Sequence, residues 1–197
     1  ILILDNGSDD PATLAWMKEI STQDTRVRVI PADIEFNWSR LNNIGAAEAT
    51  GSVLLFMNND TVVISPNWLE KLAGYALLPD VGVVGALLLF EDGTIQHSGV
   101  VVGMGGWADH VYRTQPAAHL SGPFISPILT RNTLAVTGAC AAISAHRFHE
   151  VGGFDENFVV CGSDVEICLR THARGWYNVV VGEVSLFHFE SKSRDPA

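Results

Sequence analysis

The first eighty residues alternate short apolar runs with helix-forming stretches, and few folds accommodate that rhythm. Ile1–Leu4 is apolar and stops at Asp5-Asn6-Gly7, a turn sequence. Asp10-Pro11 supplies an N-cap followed by proline at the first helical position, which predicts a helix to about Ile20. Arg26–Ile30 alternates charged and apolar residues as a strand does. Ser39 is placed to cap a second helix running to about Thr50 and closed by Gly51. Val53–Met57 is a continuous apolar run, as in a strand buried on both faces. Ser65-Pro66 opens a third helix that ends near Leu78-Pro79. Strand and helix in repeated alternation specify an α/β fold with a mainly parallel, Rossmann-like sheet. Ligands of such sheets bind beyond the carboxyl ends of the strands. Asp5 and Asn58–Asp60 both fall at such ends, so two acidic loops can share one crevice.

The second half reads differently. Val81–Phe90 and Thr94–Val102 flank Glu91-Asp92-Gly93 as a β-hairpin. Residues 103–132 carry Gly-Met-Gly-Gly and three prolines without periodicity, which predicts a long loop or lid. Val136–Ser144 reads as a strand and Ala145–Val151 as a short helix. Asp164–Ala173 reads as a helix, with Val165, Cys168 and Leu169 at helical spacing. Tyr177–Val181 and Val184–Phe189 read as two closing strands. No repeat, linker or low-complexity segment divides the 197 residues, so a single domain is expected.

Composition removes several function classes. Twelve Lys and Arg against 22 Asp and Glu give a net charge of -10, whereas a general nucleic-acid binder needs a basic face. A local basic pocket for a phosphate ligand remains compatible with that balance. Cys140, Cys161 and Cys168 are odd in number and lack CxxC spacing, which argues against a disulfide framework or zinc site and for a reducing compartment. No apolar run reaches the ~18 residues of a membrane span, and no signal peptide opens the chain. The GMGG stretch is not a dinucleotide fingerprint, and neither a P-loop nor a GxSxG elbow occurs.

Three places can carry chemistry. Asp60, after two asparagines at a strand end, offers oxygen to Mg²⁺ or Mn²⁺, although Asn and Asp are also ordinary turn formers. Asp164 and Glu166 fall in the first turn of a helix, where the helix dipole favours acidic residues on structural grounds alone. A base at Asp164 therefore needs desolvation or another charge to offset that dipole. His188 ends an apolar run and is followed by Glu190, Lys192 and Arg194. A lone histidine is more often structural, yet neutral imidazole is a common metal ligand and the basic pair suits a diphosphate. His97, His110 and His119 read as surface histidines near the lid.

Taken in order, DNGSDD (5–10), FNWSRLNNIGAAEATG (36–51), FMNNDT (56–61), VTGACAAIS (136–144), GGFDE (152–156), SDVEICLR (163–170) and HFESKSR (188–194) resemble the inverting family 2 glycosyltransferases of the GT-A fold. Bacterial rhamnosyltransferase-like members are the most similar. The resemblance covers essentially the whole chain. It implies a nucleotide-binding half at 1–80 and an acceptor and catalytic half at 81–197. Asp5 and Asn43 would lie near the nucleotide, with Asn58 and Asn59 also on the nucleotide-sugar side. Asp60 and His188 would hold a divalent metal, Mn²⁺ or Mg²⁺. Asp164 would be the catalytic base, Lys192 and Arg194 would lie near the diphosphate, and Gly138, Ala139 and Glu166 would line the acceptor side.

The chemistry implied is metal-dependent, inverting transfer of a sugar from a UDP- or dTDP-linked donor. The acceptor would be a cell-envelope or capsular saccharide, free or lipid-linked, and the location the cytoplasm at the inner face of the membrane. The chain departs from the family pattern at Asn58, which replaces the first acid of a DxD motif, and at Ser163 before the base. It also lacks the strand and helix that precede ILILDNGS in the family, which suggests part of a longer protein able to meet the membrane through its other parts. The alternative is a truncated or degenerate module that binds nucleotide or saccharide without turnover. A sugar nucleotidyltransferase is a third reading, but no glycine- and basic-rich N-terminal loop supports it.

Overall fold

The computed structural model describes residues 1–117 and 126–189. Lys192 and Arg194, expected near a diphosphate, lie outside the described residues, as does His119. The N-terminal region follows the alternation in the sequence: β1 (Leu2–Asp5), α1 (Pro11–Gln23), β2 (Arg28–Pro31), α2 (Trp38–Glu48), β3 (Val53–Met57), β4 (Thr61–Val63) and α3 (Trp68–Ala76). Then come β5 (Val81–Leu89), β6 (Ile95–His97), β7 (Val100–Val102), β8 (Ala108–His110), β9 (Arg131–Thr133), β10 (Cys140–Ser144), α4 (Ala145–Glu150), α5 (Ser163–Ala173) and β11 (Tyr177–His188).

β1 and β2 form a two-stranded parallel sheet of their own. The main sheet runs β3-β10-β5-β11-β4, with β6 paired to β5 and β9 to β11. Among the described residues, only β5 and β11 run parallel within it. β10 runs against both β3 and β5, so the sheet is mixed rather than mainly parallel. β5 (VGVVGALLL) lies between β10 and β11, and all but its last residue are buried. Successive residues of β5 and β10 face opposite ways. Val83, Ala141 and Ile143 join Phe56, Phe148, Phe154 and Ile167 on one face. Val84, Cys140 and Ala142 join Leu72, Leu88 and Leu186 on the other. The sheet is thus packed on both sides, by α3 on one and α5 on the other. Cys140 and Cys168 are free thiols inside this core, and burial pushes Cys140 up to about 12.

Several boundaries differ from the expectations, each through a tertiary contact. Asn37, not Ser39, caps α2, its side chain accepting from the Arg40 N–H at 2.9 Å. Ser39 is instead fully buried and donates to the Phe158 carbonyl at 2.6 Å. The hairpin at Glu91-Asp92-Gly93 is present, but its second arm divides into β6 and β7. The described parts of 103–132 are not a structureless lid: β7 and β8 form a hairpin across the GMGG turn, and β9 adds to the main sheet. β11 is one strand with a register shift between Val181 and Ser185, where two were expected.

Candidate functional site

Asn58-Asn59-Asp60 is the turn joining β3 to β4, so the stretch is a turn whatever chemistry it carries. β4 pairs antiparallel with the end of β11, with Thr61 opposite His188. This long-range register sets the His188 ring against the turn. His188 Nε2 lies 3.2 Å from Asp60 Oδ1 and 3.4 Å from Asn58 Nδ2. Asp60 Oδ1 is shut off from solvent and has no hydrogen-bond partner among the described residues. The contact with His188 becomes an ion pair only when the imidazole is protonated. A buried carboxylate oxygen without a partner is costly, and a cation shared with the ring nitrogen would satisfy both groups. Two neighbouring ligands at ~2.1 Å from an octahedral Mg²⁺-like ion lie about 3 Å apart, close to the spacing observed here. Among the described residues no third His, Cys, Asp or Glu converges on the pair. Such an ion would draw its other ligands from substrate oxygens and water, as Mg²⁺ commonly does.

Asp164 sits in the first turn of α5, after Gly162 in a left-handed conformation. Its Oδ2 accepts from the Gly138 N–H at 2.9 Å and its Oδ1 from the Val165 N–H at 2.8 Å. Gly138 is required by close approach: a Cβ there would stand 2.8 Å from the Trp38 ring. Trp38 packs edge-on against Phe154 at 4.9 Å and donates its Nε1–H to Asn58 Oδ1 at 3.4 Å. One indole therefore reaches from Asn58 in the Asp60 turn to Gly138, whose amide holds the Asp164 carboxylate. A small apolar cavity lined by Phe56, Ile143, Phe154 and Ile167 borders Asp164.

The turn before β10 ties these groups together. Asn58 N–H donates to the Ala139 carbonyl at 3.0 Å, and Thr137 N–H donates to Nε2 of His97 at 3.4 Å. Gly138 and Ala139, expected on the acceptor side, thus stand between the Asp60 turn and Asp164. Glu166, also expected there, is paired with Arg170 at 2.5 Å in a shallow groove with Gly152, Gly153 and Asp155. Arg170 braces that loop by donating to the carbonyls of Val151 and Gly153.

Other predicted residues stand apart. Asn43 exchanges hydrogen bonds with the backbone of Phe154, both at 2.9 Å, and holds the GGFDE loop to α2. Asp5 caps its own turn, and the hydroxyl and N–H of Ser8 hold its carboxyl below the usual carboxylate range. Among the described residues no hydrogen bond joins either one to the Asp60–His188–Asp164 group. Asn59 is exposed at the tip of the turn.

Two residues of the site, Trp38 and Gln96, were not singled out by sequence, and His97, expected at the surface, is fully buried. Trp38 offered only an aromatic residue at the start of a helix. Gln96 and His97 occupy a short strand that read as one arm of a hairpin, yet both are buried polar residues. Their only signal was polar side chains in an otherwise apolar strand run.

Comparisons with known proteins match this architecture. The profile described as Glycosyl transferase family 2 matches residues 1–146. The chain is 44% identical over 194 residues to the O-antigen biosynthesis protein RfbC of Myxococcus xanthus, covering 98% of this chain and 15% of that protein. It is 24% identical over 221 residues to the N-acetylglucosaminyl-diphospho-decaprenol L-rhamnosyltransferase of Mycobacterium tuberculosis, covering all of this chain and 69% of that one. Among solved structures it superposes on GalNAc-T7, determined with UDP, GalNAc and Mn²⁺, with a TM-score of 0.77 at 18% identity, over 98% of this chain and 38% of that chain. It also superposes on the mannosyltransferase PcManGT from Pyrobaculum calidifontis, in complex with GDP-Man and Mn²⁺, with a TM-score of 0.68 at 14% identity, over 98% and 48% of the two chains. These likenesses establish the GT-A fold.

Proposed function

Because the chain belongs to glycosyl transferase family 2, we propose that it is the catalytic domain of a metal-dependent inverting glycosyltransferase. It takes a sugar from a nucleoside-diphosphate donor, UDP- or dTDP-linked, and passes it to a hydroxyl of a cell-envelope saccharide. The names of RfbC and the mycobacterial rhamnosyltransferase support that acceptor class. Residues 1–80 form the donor half and 81–197 the acceptor half. Among the described residues no helix is long and apolar enough to cross a membrane. Work at the inner face of the membrane would then rely on the lipid-linked acceptor or on other parts of a longer protein.

The observation that carries this reading is the buried Asp60 Oδ1, without a hydrogen-bond partner among the described residues and facing His188 Nε2 at 3.2 Å. Asp60 and His188 would hold the divalent ion, which when bound supplies Lewis-acid neutralisation of the departing diphosphate. Asp164, held by the Gly138 amide, receives the proton of the acceptor hydroxyl as that oxygen attacks the anomeric carbon. Attack opposite the leaving group inverts the stereochemistry. Trp38, Gly138 and Ala139 fix the base relative to the donor end. Lys192 and Arg194 supply positive charge to the diphosphate, while Asp5, Asn43, Asn58 and Asn59 belong to the nucleotide-sugar side.

A second reading, binding without turnover, draws support from Asn58. Its amide is committed to Trp38 and His188, where an acid would add a charged ligand. Calorimetry with UDP, with and without Mn²⁺, followed by a donor-hydrolysis assay separates the two. Metal-dependent UDP binding with donor turnover is expected. Asp164→Asn should lower turnover ~10²–10⁴-fold while UDP binding persists. Normal turnover by that variant would overturn the role of Asp164.

A further inference from the structure

Gln96 is 4% exposed, and among the described residues its side chain hydrogen-bonds only with His188. Its position in β6 explains how it reaches that partner. β5 and β6 pair Leu88 with His97 and Leu89 with Ile95, so Gln96 is the extra residue of a β-bulge. Bulges interrupt the ladder and re-aim a side chain. Here the amide is turned out of the β5–β6 ladder onto the last residue of β11.

The hydrogen-bond roles follow from one fixed point. The His188 carbonyl can only accept, so the group 3.2 Å from it must be the Gln96 amino group, Nε2. Gln96 Oε1 therefore faces His188 Nδ1, at 2.6 Å. An amide oxygen can only accept, so Nδ1 carries the hydrogen. The other ring nitrogen of the neutral imidazole, Nε2, is then a bare lone pair. Asn58 is oriented in the same sense, because the Trp38 indole can only donate and so claims Asn58 Oδ1. The Asn58 amino group is left facing His188 Nε2 at 3.4 Å. Two independent donors and acceptors thus agree on one tautomer.

We infer that Gln96 is the positioning residue of the His188 ring, fixing its Nδ1–H tautomer and its plane so that Nε2 faces a divalent ion shared with Asp60. The inference rests on the reading of Asp60 and His188 as metal ligands. Partners that orient a ligating histidine through its other nitrogen commonly account for 10–100-fold in metal affinity.

The tautomer is read first on the metal-free protein, from imidazole ¹⁵N shifts followed across a pH series. Protonation of His188 Nδ1 is expected, and a dominant Nε2–H form overturns the inference whether or not any variant folds. Mn²⁺ binding in the presence of UDP is then followed by electron paramagnetic resonance in three proteins. Gln96→Leu keeps the side-chain volume and should bind Mn²⁺ ~10–100-fold more weakly. Gln96→Glu keeps an acceptor at Nδ1 and should stay within a few-fold of the parent. In turnover, the Mn²⁺ concentration for half-maximal rate should rise in Gln96→Leu while kcat at saturating metal is retained. Unchanged Mn²⁺ affinity in a folded Gln96→Leu overturns the role of Gln96 alone. Failure of the parent to bind Mn²⁺ with UDP overturns the metal reading and the inference with it.

Discussion

Gly138 shows how much of this site depends on a missing side chain. Its amide holds Asp164, and its Cα lies so close to Trp38 that a Cβ would stand 2.8 Å from the indole. Gly138→Ala must displace either the ring or the Asp164 contact. Displacements of this order at a reacting group can cost ~10²-fold in rate. We expect Gly138→Ala to lower kcat by about that factor with UDP affinity nearly unchanged, and steady-state kinetics with calorimetry will check it. If UDP binding fell in parallel with kcat, Trp38 rather than Asp164 would be the element disturbed. Asp60 and Asp164 were legible from sequence as single residues. Their connection through Trp38 was not, because no local pattern encodes a contact between the start of α2 and the turn before β10.

At the scale of elements, the central packing depends on Asn178 of β11. Its side chain accepts from Val83 N–H and the Thr171 hydroxyl and donates to the carbonyls of Leu134 and Cys168, at 2.8–2.9 Å. One amide thus joins β5, α5, β11 and the chain leading from β9. Replacing it by leucine would leave several buried backbone groups unpaired, each costing about 1–3 kcal/mol. Asn178→Leu should lower stability by ~3 kcal/mol or more, read as a shift of the urea midpoint. A change under about 1 kcal/mol would mean that water replaces the amide. The elements were largely legible because their apolar patterns are strong, continuous in β5 and at helical spacing in α5. Boundaries failed where tertiary hydrogen bonds took over. Val136–Ser144 reads as one strand, yet β10 starts only at Cys140. The amides of Thr137 and Gly138 go to His97 and Asp164 in place of a ladder.

Over the whole molecule, His97 couples folding to pH. Burial, and then the neighbouring His110, Arg131 and His188, hold its imidazole well below the usual histidine range. Its Nε2 accepts from the N–H groups of Gly99 and Thr137, so a proton there would face two donors. The folded state therefore keeps His97 neutral where the unfolded chain binds a proton. Its contribution to stability is complete above the unfolded value of about 6.5 and is lost as pH falls below it, by up to ~1.4 kcal/mol per pH unit. Urea midpoints should drop between about pH 7.5 and pH 5.5, and His97→Gln should flatten that dependence. An equal drop in the variant would assign the effect to other groups. The separation of β1 and β2 from the main sheet has a consequence of another kind. Among the described residues β1 pairs only with β2, and β3 only with β10. Each leaves a row of backbone donors and acceptors along an apolar strand, Leu-Ile-Leu in one and Val-Leu-Leu-Phe-Met in the other. Open strand edges without lysine or proline template pairing with further chains. Expressed in isolation, this domain should self-associate as its concentration rises, and sedimentation across a concentration series will show whether it does.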